Sequence, residues 1–301
     1  MAEFTIIVPT KNRFDPLIKL LDSLRKLREL ERIQPEIIIG DNNSTDGTWE
    51  ALQRESRNFP VALQLIKVTT PGKSAVMNEA IRAARGKILA FLDDDVIVDP
   101  GWLQSIDHFL KNNAYLVAQG VIRIPSPEAE DPQTKRLLDR YHTISRLEYG
   151  REKQSLNSLN GANLVIYREV LDRIGHFDER LGPGAAGTSE DVELARRIVR
   201  AGLKIGYIHE AIVYHRVDPS RLTDEYFKSL HRRQGFSRLV LENRGIVRIA
   251  LSLVRSSLQF CVYSFFGGER KRYRSKGRIY HYLAMLEAKA KTRQDAENQP
   301  R

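Results

Sequence analysis

Ile88-Leu89-Ala90-Phe91-Leu92 runs directly into Asp93-Asp94-Asp95, so five consecutive apolar residues end in three consecutive carboxylates. An uninterrupted apolar run of this length reads as a strand buried on both faces, as in a parallel sheet. Adjacent carboxylates repel one another, and a hard divalent cation with oxygen ligands is the usual relief. In extended backbone Asp93 and Asp95 point to the same side. The segment therefore predicts a strand end able to hold a cation and, through it, a diphosphate. The plainer alternative is an acidic turn that caps a helix starting near Pro100-Gly101-Trp102.

On the amino-terminal side, strand-like and helix-like segments alternate. Residues 4–8 and 36–40 are further apolar runs, ending in Pro9-Thr10 and in Asp41-Asn42-Asn43-Ser44. Residues 62–68 have a period of two, and 87–92 form the strand that opened the reading. Between them, residues 16–27 place Leu17, Leu20, Leu21, Leu24 and Leu27 on one helical stripe, and 46–55 and 74–84 also read as helices. This order predicts right-handed crossovers and a mostly parallel sheet flanked by helices, an α/β architecture. In such a sheet ligands bind at the carboxyl ends of the strands. Thr10, Asp41 and Asp93–Asp95 all follow strands directly and should converge there.

These segments resemble a known family. Ile-Val-Pro-Thr-Lys-Asn-Arg (7–13), Gly-Asp-Asn-Asn-Ser-Thr-Asp-Gly-Thr (40–48) and Phe-Leu-Asp-Asp-Asp-Val (91–96) are similar, in order and spacing, to the family-2 inverting glycosyltransferases of GT-A fold, of the bacterial polysaccharide type. So are Asn160-Gly161-Ala162-Asn163, Gly175-His176-Phe177-Asp178-Glu179, Ser189-Glu190-Asp191-Val192 and Val213-Tyr214-His215. The resemblance covers residues 4–216. It implies a GT-A-type, Rossmann-like domain and assigns roles within it.

By that resemblance Pro9, Thr10 and Arg13 line the nucleotide pocket, and Asp41 accepts a hydrogen bond from the base. The residues alone also allow Asp41 to be an Asx-turn residue. Lys73, at a helix start in Pro71-Gly72-Lys73-Ser74, suits a phosphate or simply solvent. No Gly-x4-Gly-Lys spacing marks a P-loop there. Asn78 receives no role. Asp93 would approach the ribose or the metal, Asp95 would bind the metal, and Asp94 is ambiguous because three aspartates allow two registers. Mn2+ or Mg2+ is the implied cofactor. His215 reads equally as a structural residue or as a completion of the metal shell. Gly161, Asn163 and Glu190 fall on the acceptor side. Asp191 is the implied general base, although Thr188 with Asp191 also approximates a capping box. The Gly-rich loop 181–187 reads either as a mobile lid or as a surface connection.

Composition frames the rest. A chain of 301 residues with 42% hydrophobic content holds one large domain with an appendage. Its one cysteine, Cys261, excludes an internal disulfide and any Cys-based metal site. The first residues lack the pattern of a signal peptide, and no charge-free apolar stretch of membrane-spanning length is evident. Residues 245–301 hold 12 Lys or Arg against 4 Asp or Glu, so most of the net charge of +10 sits there. Within Ile246–Phe266, Arg248, Ser252, Arg255, Ser256 and Gln259 recur at helical spacing, and Gly267-Gly268 ends the helix. Arg270, Lys271, Arg272, Arg274, Lys276 and Arg278 follow. This predicts a GT-A domain over 1–244 and a basic amphipathic helical region over 245–301. Residues 246–278 would meet an anionic membrane surface, or else pack on the domain or a second subunit. Residues after 293 read as disordered.

The expected activity is metal-dependent transfer of a sugar, with inversion, from a nucleotide-diphosphate donor to a hydroxyl of a glycan or lipid-linked saccharide. UDP is the favoured nucleotide. No zinc-finger or RNA-binding signature accompanies the basic charge, so nucleic acid is not an expected partner. The expected location is the cytoplasmic face of the membrane, as a peripheral protein, with oligomerisation open. A sugar nucleotidyltransferase is the alternative enzyme, but Val8-Pro9-Thr10-Lys11-Asn12-Arg13 lacks the glycine-rich loop it needs. A non-catalytic glycan- or membrane-binding protein is the alternative from another class.

Overall fold

The computed structural model of the protein describes residues 3–242 and 244–297, with side chains through Lys291. It divides into two compact units. One comprises residues 1–125, 145–179 and 190–216, the other 126–144, 180–189 and 217–301.

The first unit opens with β1 (Phe4–Thr10), α1 (Phe14–Leu24), α2 (Leu30–Ile33), β2 (Glu36–Asp41), α3 (Thr48–Arg57), β3 (Leu63–Lys67), α4 (Lys73–Ala83) and β4 (Ile88–Leu92). β1, β2 and β4 are buried throughout, as their unbroken apolar runs require. α1 buries Leu17, Leu20, Leu21 and Leu24, the stripe set by its spacing of three and four. β5 (Val96–Val98), α5 (Trp102–Asn112) and β6 (Val117–Arg123) follow. Two short helices of the second unit, α6 (Ser126–Glu130) and α7 (Pro132–Tyr141), then intervene. β7 (Ser155–Leu156), β8 (Asn163–Tyr167), α8 (Arg168–Ile174), α9 (Glu190–Arg200) and β9 (Ile205–His215) complete the first unit.

Among the described residues the strands form one sheet in the order β3-β2-β1-β4-β8-β6-β9-β5, with β7 on β9. The β3-β2-β1-β4 half is parallel, as the alternation predicts. β8 then runs antiparallel between β4 and β6, and β5 runs antiparallel to β9, so the whole sheet is mixed. In the parallel register Thr10 lies beside Asp41, which puts the ends of β1 and β2 side by side. The antiparallel pairing of Leu92 with Asn163 brings the start of β8 to the end of β4. β5 pairs Val96 with His215. The sheet thereby gathers residues separated by more than a hundred positions at one edge.

The second unit is helical. To residues 245–301 it adds 126–144, 180–189 and 217–244. Its long elements are α10 (Asp224–Leu241), α11 (Ile246–Phe266) and α12 (Glu269–Glu297). α11 has the bounds expected from the sequence. The basic run is itself helical, and α12 reaches Glu297. Of residues 294–301, where the sequence reads as disordered, 294–297 belong instead to α12 and 298–301 lie outside the described residues. α10 and α12 pack closely at two glycines. A Cβ on Gly235 would sit 2.4 Å from the His281 carbonyl, and one on Gly277 would sit 2.4 Å from the His231 ring. The loop 181–187 is not free. Gly187 N donates to the Gly182 carbonyl (2.9 Å), Thr188 N donates to Ser237 Oγ (3.1 Å), and Ser237 Oγ donates to the Ala186 carbonyl (3.1 Å).

α11 turns its residues in an order unusual for a helix in water. Ser256 and Ile249 are buried, while Leu251, Val254, Leu258 and Val262 are each more than half exposed and Phe265 and Phe266 almost fully so. By length and composition alone it is also long and apolar enough to cross a membrane, which the sequence reading had not expected.

Candidate active site

The three aspartates after β4 divide their work. Oxygens of Asp93 and Asp95 and a ring nitrogen of His215 all lie within 4.8 Å of one another. Asp94 points elsewhere and accepts from Thr10 Oγ1 at 2.8 Å. Asp93 and Asp95 share a side although β4 ends at Leu92 and Asp94–Asp95 form a turn, so it is the turn and not an extended strand that pairs them. Asp95 is buried, 3.5 Å from His215 Nε2 and 3.9 Å from Arg13 Nη2. His215 Nδ1 lies 3.0 Å from the Arg216 carbonyl. A carbonyl only accepts, so Nδ1 carries a proton, and Nε2 is the ring nitrogen that faces Asp95. Two carboxylates and an imidazole form a donor set suited to a divalent ion such as Mn2+ or Mg2+. Burial and the Asp95 charge push Asp94 up to about 7, against the pull of Thr10 and Arg13.

Lys73 begins α4 and reaches the same cluster. Its Nζ lies 2.6 Å from Asp93 Oδ1 and 3.4 Å from Glu190 Oε1. Burial works against its charge, but Asp93 and Glu190 outweigh that and hold its pKa above the ordinary lysine value. It is an ammonium bound into an acidic site and not a solvent-facing side chain. Gly161 stands beside it, and a Cβ there would come within 3.2 Å of Nζ. Gly161 N donates to Asp191 Oδ2 at 3.1 Å, and Val192 N donates to Oδ1 at 2.7 Å. Each carboxylate oxygen of Asp191 is thus fixed by one backbone donor and keeps further acceptor capacity. The capping box does not form, since Thr188 turns to Ser189 and Ser237. Burial, then the neighbouring Glu190, push Asp191 up to about 7, while Lys73 and the two backbone donors oppose the shift.

Asp41 lies at the end of β2 and is fully buried. Its Oδ2 accepts from Ser44 N at 3.1 Å, the Asx-type contact anticipated from the sequence. Its Oδ1 is buried with no hydrogen-bond partner among the described residues. An orphaned buried acceptor of this kind costs about 1–3 kcal/mol, which a ligand N–H would offset. Pro9 and Thr10 occupy the neighbouring end of β1, in register with Gly40 and Asp41.

Asn163 has a different task from the one its sequence position implies. It is fully buried, and its Nδ2 donates to the Val121 and Ala211 carbonyls, both at 2.9 Å. Its Oδ1 accepts from Trp102 Nε1 at 2.8 Å. The amide is spent on joining β6, β8, β9 and α5, and it has no group left for an acceptor. Two asparagines that sequence reasoning left without roles also organise the site. Asn42 donates to the Val68 and Thr70 carbonyls and accepts from Gly72 N. Asn78 exchanges hydrogen bonds with the Phe177 backbone and donates to Glu179 Oε1 at 2.8 Å. Both amides are buried; Asn78 stands among the buried residues of α4, whereas Asn42, in the polar loop after β2, carries no local sign of its task.

The fold and this edge of carboxylates define a class, and the comparisons with known proteins agree on it. Residues 5–175 match Glycosyl transferase family 2, and the chain belongs to that family. It is 29% identical to the pre-mycofactocin glycosyltransferase of Mycobacterium tuberculosis over 225 residues, covering 71% of this chain but only 42% of that protein. It is 24% identical to the glycosyltransferase AglE of Haloferax volcanii, over 76% of this chain and 70% of AglE. Among solved structures, the mannosyltransferase PcManGT of Pyrobaculum calidifontis, in complex with GDP-Man and Mn2+, shares the fold. Its TM-score is 0.63 at 19% identity, covering 95% of this chain and 86% of that one. Residues 1–349 of Staphylococcus aureus TarS, in complex with UDP-GlcNAc, superpose with a TM-score of 0.59 at 14% identity, covering 97% and 92%.

Proposed function

We propose that the chain transfers a glycosyl group from a nucleotide-diphosphate sugar, UDP-linked by preference, to a hydroxyl of a glycan or lipid-linked saccharide, with inversion. The observation that carries this reading is the meeting of Asp93, Asp95 and His215 within 4.8 Å, beside the Lys73–Glu190–Asp191 group. PcManGT and TarS, whose complexes hold GDP-Man with Mn2+ and UDP-GlcNAc, support a nucleotide-sugar donor.

In this reading Asp41 Oδ1 accepts a base N–H, and Pro9, Thr10 and Arg13 line the nucleotide. Asp94, pinned by Thr10, holds that wall in place. Asp93, Asp95 and His215 would hold a divalent cation, whose Lewis acidity toward the departing diphosphate is the chemistry it supplies. Lys73 adds positive charge on the phosphate side. Asp191, held by Gly161 N and Val192 N, takes the proton of the acceptor hydroxyl as that oxygen attacks the anomeric carbon. A single base and no protein nucleophile correspond to one displacement and therefore to inversion. Glu190 and the Gly161 backbone bound the acceptor side.

Catalysis would belong to residues 1–244, with 245–301 as an attachment region. The outward apolar face of α11 supports association with the cytoplasmic face of an anionic membrane. A thermal-shift series of UDP, GDP, dTDP and CMP with and without Mn2+ tests the donor site, since a ligand that binds only the native state raises Tm. Metal-dependent stabilisation by UDP, together with chelator-sensitive UDP-sugar hydrolysis, is the expected result. Formation of UDP-sugar from UTP and a sugar 1-phosphate would instead establish a nucleotidyltransferase.

A further inference from the structure

The helical unit holds a second chemically marked site. A cleft of about 530 Å³ opens where α7, α10 and α12 meet. Arg270, Arg274 and Arg278 recur every four residues along α12 and line it, and Arg140 enters from the last turn of α7. None of the described residues lining it is acidic. Glu269 pairs with Arg140 Nη2 at 2.6 Å but stays outside the lining. Arg140 Nε is buried with no hydrogen-bond partner among the described residues. A buried orphan donor on a guanidinium is a group waiting for an acceptor. Tyr141 and Phe227 give the cleft an aromatic wall, their rings 5.8 Å apart.

The charge of the cleft is fixed. Burial pushes His231 and His281 down to about 4, with the Arg238 charge adding to the effect at His281. Both rings are neutral at pH 7, so the positive charge comes from four guanidiniums that do not titrate. This arrangement also changes the meaning of the basic run. Lys276 is engaged with Asp224 (2.8 Å), and Arg272 lies 3.9 Å from Glu269. Arg270, Arg274 and Arg278 line the cleft at four-residue spacing, Arg278 also donating through Nη1 to Gln259 Oε1 (3.1 Å), and they form a concave basic site.

We propose that this cleft is a binding site for a terminal phosphate or diphosphate group, separate from the carboxylate edge that defines the donor site. Guanidiniums bind phosphate through paired, charge-assisted hydrogen bonds, and four around one cleft favour a dianionic group over an isolated carboxylate. The group can belong to a soluble phosphate or to the head of a phosphate-bearing lipid. The inference does not depend on the glycosyl-transfer reading, because its readout is binding alone.

The test uses full-length protein in the presence of chelator. Titration calorimetry with inorganic pyrophosphate forms one arm. The other is sedimentation with phosphatidylcholine vesicles carrying phosphatidic acid, against vesicles carrying phosphatidylglycerol at matched charge. The Arg270→Gln/Arg274→Gln pair removes two exposed rim residues and should leave Tm unchanged. The Arg248→Gln/Arg255→Gln pair removes equal charge from α11 and is the control. The rim pair should weaken binding about tenfold or more in at least one arm while the control does not. Loss in the pyrophosphate arm identifies a soluble phosphate, and loss confined to phosphatidic acid vesicles identifies a lipid headgroup. Equal behaviour of rim and control pairs in both arms overturns the site.

Discussion

Lys73 and Asp93 form an ion pair of 2.6 Å that ties the first residue of α4 to the carboxylates after β4. Twenty residues separate them in the chain, and α4 and β4 between them bring the chain back from the start of α4 to the same edge of the sheet. The pair neutralises one member of a cluster that would otherwise hold three adjacent negative charges. Arg13, 3.9 Å from Asp95, does similar service there. The cluster can therefore persist in the folded chain before any cation arrives.

From this follows a separation of stability from activity. Asp95→Ala should melt close to the wild type yet lose metal-dependent turnover. Undiminished wild-type turnover in excess chelator would remove the metal from the scheme, and a collapse of Tm in the variant would make Asp95 a structural residue.

Asp191→Asn keeps the shape and one of the two backbone contacts, the amide nitrogen now facing the other backbone N–H, and it cannot take a proton. Turnover should fall by about a hundredfold or more, with donor affinity nearly unchanged. The sign of the pH dependence follows from the raised pKa of about 7. Below it the carboxyl is protonated and inactive as a base, so kcat/KM should rise with pH through neutrality. The Asn variant should lack that rising limb, and a limb that survives there assigns it to another group.

Asp41→Asn exchanges an acceptor oxygen for a donor at the base pocket. UDP should bind about tenfold more weakly or worse, with less loss for nucleotides that present an acceptor at the same place. Equilibrium dialysis across several bases checks this, and equal weakening for all of them would deny Asp41 any base recognition.

Asn163→Ala leaves the Trp102 indole N–H and the Val121 and Ala211 carbonyls unpaired in the core. The chain should lose on the order of 3 kcal/mol of stability in urea denaturation, since each buried orphan costs about 1–3 kcal/mol. If stability is kept and only the acceptor KM rises, the residue touches acceptor after all.

Leu258→Glu with Val262→Glu places two charges on the exposed face of α11. If that face lies on lipid, sedimentation with anionic vesicles should fall sharply while the melting temperature holds. Wild-type protein that stays in the supernatant at low salt would dismiss the membrane, and a change of oligomeric state in the variant would assign the face to a second subunit.

The parallel half of the sheet was legible because each of its buried strands is a run of apolar residues ending in a polar one. β5 and β6 were not. Val96–Val98 is too short to show a period, and Gln119-Gly120 interrupts Val117–Arg123. The aspartates, Lys73 and Asp191 were visible as residue types at strand and helix ends. Asn42, Asn78 and the true task of Asn163 were not, because their partners lie 26 to 101 residues away and only the folded sheet brings them near. The helical unit was half legible. The bounds of α11 follow from its glycines, but which face it turns outward depends on its packing against α12.

Asn42 has a mechanical consequence. Its single amide clasps the end of β3, the loop through Thr70 and the entry to α4, all from the position next to Asp41. The residue offered to the base and the helix that carries Lys73 are thereby fastened into one block, and the spacing between them is set like that of a gauge. A nucleotide meets a slot of predetermined length, and whatever movement accompanies turnover must arise outside that block.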